Sequence, residues 1–234
     1  MTQAEPAGLM AFWADVGPDH QARFLEWHNC EHMPERVSVP GFREGRRYRE
    51  LGGSPRYLMM YFTESADVLG SRAYMERLND PTPWTRESLG HFRNPSRNVY
   101  TVLAGHGRTS LREFPYLISI RFDIAPDAHA RIQPSIEGGL VPELAALPHV
   151  GRLRFYGIDA AVSGIETAER GLHAGGPGSQ RFLLLAECAQ PGVAQTGEWQ
   201  AAWVGLDDGM AGGNPPIAHV IAEVFRIDYM LAAA

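Results

Sequence analysis

"LMAFWADVGPDHQARF", residues 9 to 24, overlays "LISIRFDIAPDAHARI", residues 117 to 132, without a gap, and its Leu, Asp, Pro, Asp, Ala and Arg positions coincide. The shift is 108 positions (117 less 9). It holds through "PERVSVPGFREGRRY" (34 to 48) over "PELAALPHVGRLRFY" (142 to 156), which share Pro, Glu, Pro, Arg and Tyr. Beyond that the shift grows by 17, because "RYLMMYFTES" at 56 matches "RFLLLAECAQ" at 181 (181 less 56 is 125). Self-similarity of this kind marks one structural unit used twice. We therefore expect one unit over 1–108 and a second over 114–234. The second should carry an insertion near 159–179, expected as a mobile loop or short helical excursion on that unit.

Each copy reads as the same series of elements. A strand at about 8–15 precedes a helix opened by Pro18 and Asp19, residues suited to a helix start. Pro34 disfavours an α conformation in the residue before it, so the helix is expected to end near Met33. Strands follow at about 42–51 and 56–63, joined through "GGSP", which is hairpin-turn chemistry. "ADVLGSRAYMERL" reads as a second helix and "RNVYTVLAG" as a last strand. The order is β-α-β-β-α-β, the ferredoxin-like unit. In the second copy Pro134, Gly138 and Gly139 should leave the first helix bent or short. Runs such as "YLMMYF" and "RFLLLAE" do not alternate between apolar and polar, which predicts sheets covered on both faces. The fold class expected is α+β, two ferredoxin-like repeats with their antiparallel sheets packed face to face inside one chain.

Composition limits the function. A chain of 234 residues that is 44% hydrophobic can bury a real core. A formal charge of -6 and a pI near 5.8 leave no electrostatic footprint for nucleic acid, and the arginines at 43, 46, 47 and 49 are interrupted by Glu44 and Glu50. The start lacks the basic and apolar regions of a signal peptide, and no stretch reaches the roughly 18 apolar residues of a membrane span. The expectation is a cytoplasmic protein, monomer or homodimer, with a small-molecule substrate and neither nucleic acid nor membrane as partner. Cys30 and Cys188 have neither metal-pair spacing nor the density of a disulfide scaffold. No Gly-x-Ser-x-Gly elbow or dinucleotide fingerprint is present.

The stretch "EWHNCEHMPERVSVPGFREGRRY" (26 to 48) resembles the helix-to-strand signature of the dimeric α/β-barrel superfamily, in its EthD-like branch, where a His-x-Pro at the helix end precedes a Pro-Gly-aromatic turn. In this sequence the histidine is His32 and the turn is Pro40, Gly41 and Phe42. The second half departs from the pattern, with "LVP" and "PHV" at those places. The resemblance implies the barrel fold as a tandem duplication in one chain. It also implies a range of chemistries: cofactor-free monooxygenases, polyketide cyclases, lactone isomerases and haem-dependent enzymes. A fold shared so widely leaves the reaction to the site.

Helical phase points to that site. At about 100° per residue, Phe24, Leu25, Trp27, His28, Glu31, His32 and Glu35 fall within an arc of roughly 160°, so ionisable groups share the face that packs on the sheet. Two imidazoles and a carboxylate there cost desolvation unless paired or set around a polar cavity. The second copy is an internal control. Opposite Trp27, His28, Glu31 and His32 it has Ser135, Ile136, Gly139 and Leu140, so the fold does not require the polar set. Glu35, Arg46 and Tyr48 recur as Glu143, Arg154 and Tyr156, which predicts a shared structural role.

Histidines against an apolar pocket suit acid-base chemistry without a cofactor. We therefore expect His28, His32 and Tyr61 as catalytic residues, with Trp27, Phe24, Glu31 and Arg97 around the substrate. Tyr57, on the same strand face as Tyr61, could reach the cavity. His91, Arg93 and Arg97, in "GHFRNPSRN", read as a loop. The expected function is a lyase, isomerase, cyclase or oxygenase acting on a small aromatic, lactone or polyketide-like compound. Three alternatives stand beside it. "HNCEH" matches His-x-x-Glu-His, so His28, Glu31 and His32 could hold a divalent metal. One histidine could bind haem. The cavity could also belong to a non-catalytic binding protein for a hydrophobic ligand or haem.

Overall fold

The computed structural model describes residues 5–52, 57–173, 175–207 and 216–234. The chain is α+β and divides into two compact units. One holds residues up to Thr101 together with Ile158–Gly178 and Asp228–Ala234, and the other the remaining residues between Val102 and Ile227.

The first unit contains β1 (Gly8–Val16), α1 (Gln21–Trp27), a π-turn (His28–His32), α2 (Met33–Val37), β2 (Phe42–Glu50), β3 (Tyr57–Thr63), α3 (Arg72–Asn79), α4 (Pro83–Leu89) and the start of β4 (Phe92–Gly107). Its sheet runs β4-β1-β3-β2, antiparallel throughout, in the register Met10↔Tyr61, Leu9↔Tyr100 and Arg46↔Met60. The second unit contains β5 (Tyr116–Ile124), α5 (His129–Ser135), a π-turn (Ile136–Leu140), α6 (Val141–Ala145) and β6 (Val150–Ile158). The chain then forms α7 (Ala160–Ser163) and α8 (Ala168–His173) before β7 (Phe182–Cys188), α9 (Gly197–Asp207) and β8 (Ile217–Ala232). The second sheet runs β8-β5-β7-β6, so fourth, first, third and second strands lie in the same order as in the first unit. Each unit is the ferredoxin-like arrangement the sequence predicts. The "GGSP" turn falls at residues 52–55, of which 53–55 lie outside the described residues.

The repetition extends to the irregularities. A bulge between Trp13 and Asp15 in β1 recurs between Arg121 and Asp123 in β5. Opposite these bulges, Asn94 and His219 both have positive φ, 50° and 51°. The Asn94 amide donates to Asp15 at 2.9 Å, and His219 Nδ1 lies 2.9 Å from Asp123. The aspartate shared by the two copies thus holds the one residue of the last strand that must sit in the left-handed region. Arg46 and Arg154 likewise reach the hydroxyl of the tyrosine two residues on, Tyr48 and Tyr156, at 3.4 and 3.3 Å. This is the shared structural role expected of them. β3 and β7 are buried on both faces, as their unbroken apolar runs predict.

Three expectations are corrected. The first helix does not stop at Met33 but continues through Pro34 to Val37. Proline removes a backbone donor and crowds the carbonyl four residues back, and the helix absorbs this by widening into a π-turn, whose Met33 N–H donates to His28 O. The second unit does the same before Pro142, with Val141 N–H donating to Ile136 O. "GHFRNPSRN" is not a loop, since Phe92 already begins β4. The segment 159–179 is not an excursion on the second unit. Through Gly178 it folds with the first: Asp159 N–H donates to Val99 O (2.8 Å), Ala168 N–H to Asn79 Oδ1 (3.0 Å) and Gly178 N–H to Asn98 Oδ1 (2.8 Å). The boundaries at 108 and 114 therefore give way to units that interleave along the sequence.

Gly41, in the Pro-Gly-Phe turn, has φ 90°, and a Cβ built on it would meet Val68 Cγ2 at 2.7 Å. The matching residue His149 keeps a positive φ, 68°, so the turn itself requires that conformation. Gly41→Ala should cost about 1–3 kcal/mol, from the left-handed backbone and the contact together. Urea unfolding would measure it, and an unchanged midpoint would contradict the turn as described.

Candidate functional site

The π-turn carries the site. It keeps His28 and His32 buried with Arg36 of α2, one further turn along the helix, and these three line a cavity with Tyr61 of β3. Apolar walls come from Met10, Phe12, Trp27, Met59, Leu78, Leu89 and Phe92. Arg97 of β4 and Glu169 and His173 of α8 complete the lining. The cavity holds about 40 Å³ for the centre of a water-sized sphere.

The hydrogen bonds around His28 define its state. Arg47 Nη1 lies 3.1 Å from His28 Nδ1 and also donates to Asn29 Oδ1 at 2.7 Å, while Arg47 Nε donates to Asp228 at 2.7 Å. Arginine can only donate, so Nδ1 must accept, and in the neutral ring the proton then sits on Nε2. Nε2 is 3.3 Å from the Tyr61 hydroxyl, which accepts this bond and keeps its own O–H to donate elsewhere. Burial, then Arg47 and Arg36, hold the His28 pKa well below the usual 6.5. Burial also pushes the Tyr61 hydroxyl well above its ordinary value, so it remains a phenol.

His32 packs on the Trp27 ring, with centroids 4.3 Å apart, and its Nδ1 is buried without a hydrogen-bond partner among the described residues. Burial, then Arg36 and His28, keep it neutral as well. Arg36 is fully buried, and its Nη2 donates to Glu169. Its Nε and Nη1 have no partner among the described residues. Burial opposes the guanidinium charge, but Glu169, Tyr74 and Glu35 outweigh it and keep Arg36 protonated. Burial pushes Glu169 up to about 7 against the pull of Arg36. His173 accepts a bond from Gly175 N–H at 3.1 Å and is lowered to about 4, by burial and then by Arg97 and Arg170.

Of the residues expected from sequence, His28, His32, Tyr61, Trp27 and Arg97 come together around the cavity. Phe24 stands behind, its ring 5.6 Å from that of His28, and Tyr57 accepts from Gln21 and Arg49 outside the lining. Glu31 points elsewhere. It accepts from Thr82 (2.6 Å) and Thr85 (3.2 Å), and Thr85 in turn accepts from Trp27 Nε1, so Glu31 fastens the π-turn to the start of α4. His28, Glu31 and His32 therefore do not converge on one ion, and among the described residues no three His, Cys, Asp or Glu side chains do. The cavity as described, about 40 Å³, is smaller than a haem macrocycle, and both His28 nitrogens are engaged, whereas His32 Nδ1 is open.

Sequence reasoning missed Arg36, Arg47, Glu169 and His173. The first two were open to the same repeat comparison that singled out the histidines. Arg36 matches Leu144 and Arg47 matches Phe155, as His28 matches Ile136, His32 Leu140 and Tyr61 Ala186. All five partners are apolar and buried in the second unit. Glu169 and His173 lie in the segment without a counterpart, where no such comparison exists.

No family model matches the sequence, and no curated protein matches it significantly. Solved structures do match along nearly the whole chain. An anthrone oxidase-like protein aligns with TM-score 0.65 and 10% identity, over 99% of this chain and 94% of its own. A candidate monooxygenase from Fusobacterium nucleatum gives 0.62 and 6%, over 98% and 96%. Another from Lactobacillus acidophilus gives 0.59 and 6%, over 98% and 97%. At these identities the likeness is one of fold, the α+β fold of the dimeric α/β-barrel proteins. No helix among the described residues is long and apolar enough to cross a membrane.

The shifted groups make stability depend on pH. Below 6.5 the unfolded chain takes up protons on His28, His32 and His173 that the folded chain refuses. Their contribution is therefore complete above 6.5 and lost as pH falls, towards about 4 for His173 and with the same sign for the other two. Glu169 runs the other way, because its folded pKa is raised from 4.5 to about 7, and its contribution is lost as pH rises through that range. Replacing His28→Ile and His32→Leu removes two of the three opposing groups. The double variant should lose less stability on acidification from pH 6.5 to 4.5, by up to about 2.7 kcal/mol per pH unit. Equal slopes in urea titrations at several pH values would mean that these imidazoles are not held neutral.

Proposed function

We propose that this chain is a small-molecule enzyme of oxygenase type that activates a carbon acid by proton transfer to histidine, with no organic cofactor. One observation carries the reading: a set of polar groups lining an apolar cavity in one unit is replaced, position by position, by apolar core in the other. Structure kept at a desolvation cost that the same fold avoids elsewhere is explained by use. The names of the structural neighbours support an oxygen-dependent reaction. We also read the chain as a tandem duplication within the EthD-like branch, on its His32-x-Pro34 and Pro40-Gly41-Phe42 signature and the recurring bulges.

The residues divide the work. His32 is neutral, with an unpartnered ring nitrogen, and is the base. His28 already carries its proton on Nε2 and orients Tyr61, whose free O–H donates to the oxygen on which charge develops. A substrate with a CH₂ flanked by a carbonyl-bearing ring loses a proton to His32. The carbanion then reduces dioxygen, and the peroxide formed at that carbon loses water, so CH₂ plus O₂ becomes C=O plus H₂O. The apolar walls exclude competing water.

The cavity limits the substrate in its present shape, because about 150 Å³ is the volume that accommodates benzene in a protein core, against about 40 Å³ here. A ring enters as the unbranched side chains of Met10 and Met59 turn aside, the kind of adjustment methionine allows.

Anthrone, with oxygen uptake followed, tests the reading directly. His32→Leu should lower the rate about 10²- to 10⁴-fold, and Tyr61→Phe should lower it through kcat more than KM. The double variant His28→Ile, His32→Leu should stay folded, since the second unit packs those residues at the same positions. A folded double variant as active as the parent would sink the proposal. A parent that binds such compounds without consuming oxygen or exchanging the CH₂ protons is a binding protein.

A further inference from the structure

The proton-transfer reading leaves unexplained the part of the cavity wall one helical turn beyond His32. Arg36 is wholly buried there, yet only its Nη2 is engaged with the Glu169 carboxylate inside the cavity, and Nε and Nη1 face no acceptor among the described residues. Arginine offers five donors in a rigid fork, and leaving charged donors unmet away from water is costly. Arg97 adds a second guanidinium to the lining, with no side-chain hydrogen bond among the described residues. Two permanent cations therefore face one carboxylate in the lining, with Glu35 3.6 Å from Arg36 Nη2 outside it, and the lining carboxylate sits on α8, in the segment that the second unit has no use for.

We infer that the cavity takes an anionic substrate, whose carboxylate or phenolate oxygen binds the unpartnered N–H groups of Arg36 with Arg97 beside it, and that Glu169 is the resident competitor which neutralises Arg36 while the site waits. The inference rests on the cavity being the substrate site and names the class of substrate. It also joins binding to chemistry. Arg36 is one of the charges that keep His32 from accepting a proton, so an oxyanion paired with Arg36 cancels that field and makes His32 more basic only when substrate is present.

Acetate and its neutral isostere acetamide are small enough to probe the site without the reaction. Titration calorimetry and saturation-transfer NMR should find acetate bound at least about 10-fold more tightly than acetamide, as expected for hydrogen bonds to a charged partner. Arg36→Leu copies the second unit and should abolish that preference. Glu169→Gln removes the competitor and should bind acetate about 10-fold or more tighter than the parent. Acetate should also raise the Tm of Glu169→Gln by more than that of the parent, a readout that survives if Arg36→Leu folds poorly. Equal affinity for acetate and acetamide overturns the inference, and so does a Glu169→Gln protein that gains nothing from acetate. Acetate preference in a protein that never oxidises or exchanges a carbon acid leaves the anion site standing and removes only the proton-transfer reading. Turnover of neutral substrates with no acetate preference does the reverse.

Discussion

A proline inside a helix withholds one hydrogen bond and pushes against the carbonyl behind it, and most helices end or kink there. Here the helix instead takes in one extra residue, and the π-turn that results sets which side chains it buries. Because the widened turn lies at residues 28–32, His28, His32 and Arg36 all arrive on the buried side of one continuous helix rather than on either side of a break. Turns of this kind recur at functional sites. The second unit makes clear that the turn itself is a property of the fold, since "IEGGL" forms it as readily as "HNCEH". What differs is what the turn is given to bury.

That difference separates structural cost from functional gain within one molecule. Ile136, Leu140, Leu144, Phe155 and Ala186 fill the second unit with hydrocarbon at the positions where the first holds two imidazoles, two guanidinium groups and a phenol. Burying apolar side chains of that size is favourable by about 1.5–3 kcal/mol each for the larger ones. Burying the polar set is tolerable because its members satisfy one another in chains: Asp228 to Arg47 to His28 to Tyr61 on one side, Glu169 to Arg36 on the other. Two places are left open, Arg36 at the end of the second chain and His32 Nδ1, which belongs to neither, and both residues line the cavity.

The fold was legible because it is written twice. Matching Asp15 with Asp123 and Tyr48 with Tyr156 fixed the order of elements, and the structure supplies the bulge and the arginine–tyrosine contact that those shared residues serve. The site was legible where the copies disagree in type, as at His28 and Ile136. Glu31 was misread for a physical reason: helical phase counts a residue as inward without knowing that Thr82 and Thr85 stand beside it to take its carboxylate. Arg36 was passed over although its contrast with Leu144 was in view, because the helical phase was followed only as far as Glu35, one residue before it. Glu169 and His173 were beyond reach. Nothing local in "ERGLHAGG" says which part of the chain it will pack against.

The position of Glu169 has a kinetic side. It closes an ion pair with a residue 133 positions earlier in the chain, so the first half emerges from the ribosome with Arg36 uncompensated. At 5–20 residues per second the wait is roughly 7 to 27 s, long beside the milliseconds to seconds in which mixed α/β domains fold. Until α8 has been made, the nascent first unit must keep that part of its core open to water or hold a buried cation with only Glu35 for company, 3.6 Å away. Completion of the cavity is thereby made contingent on synthesis well into the second half, and a chain truncated before residue 169 is marked by a flaw at its own centre.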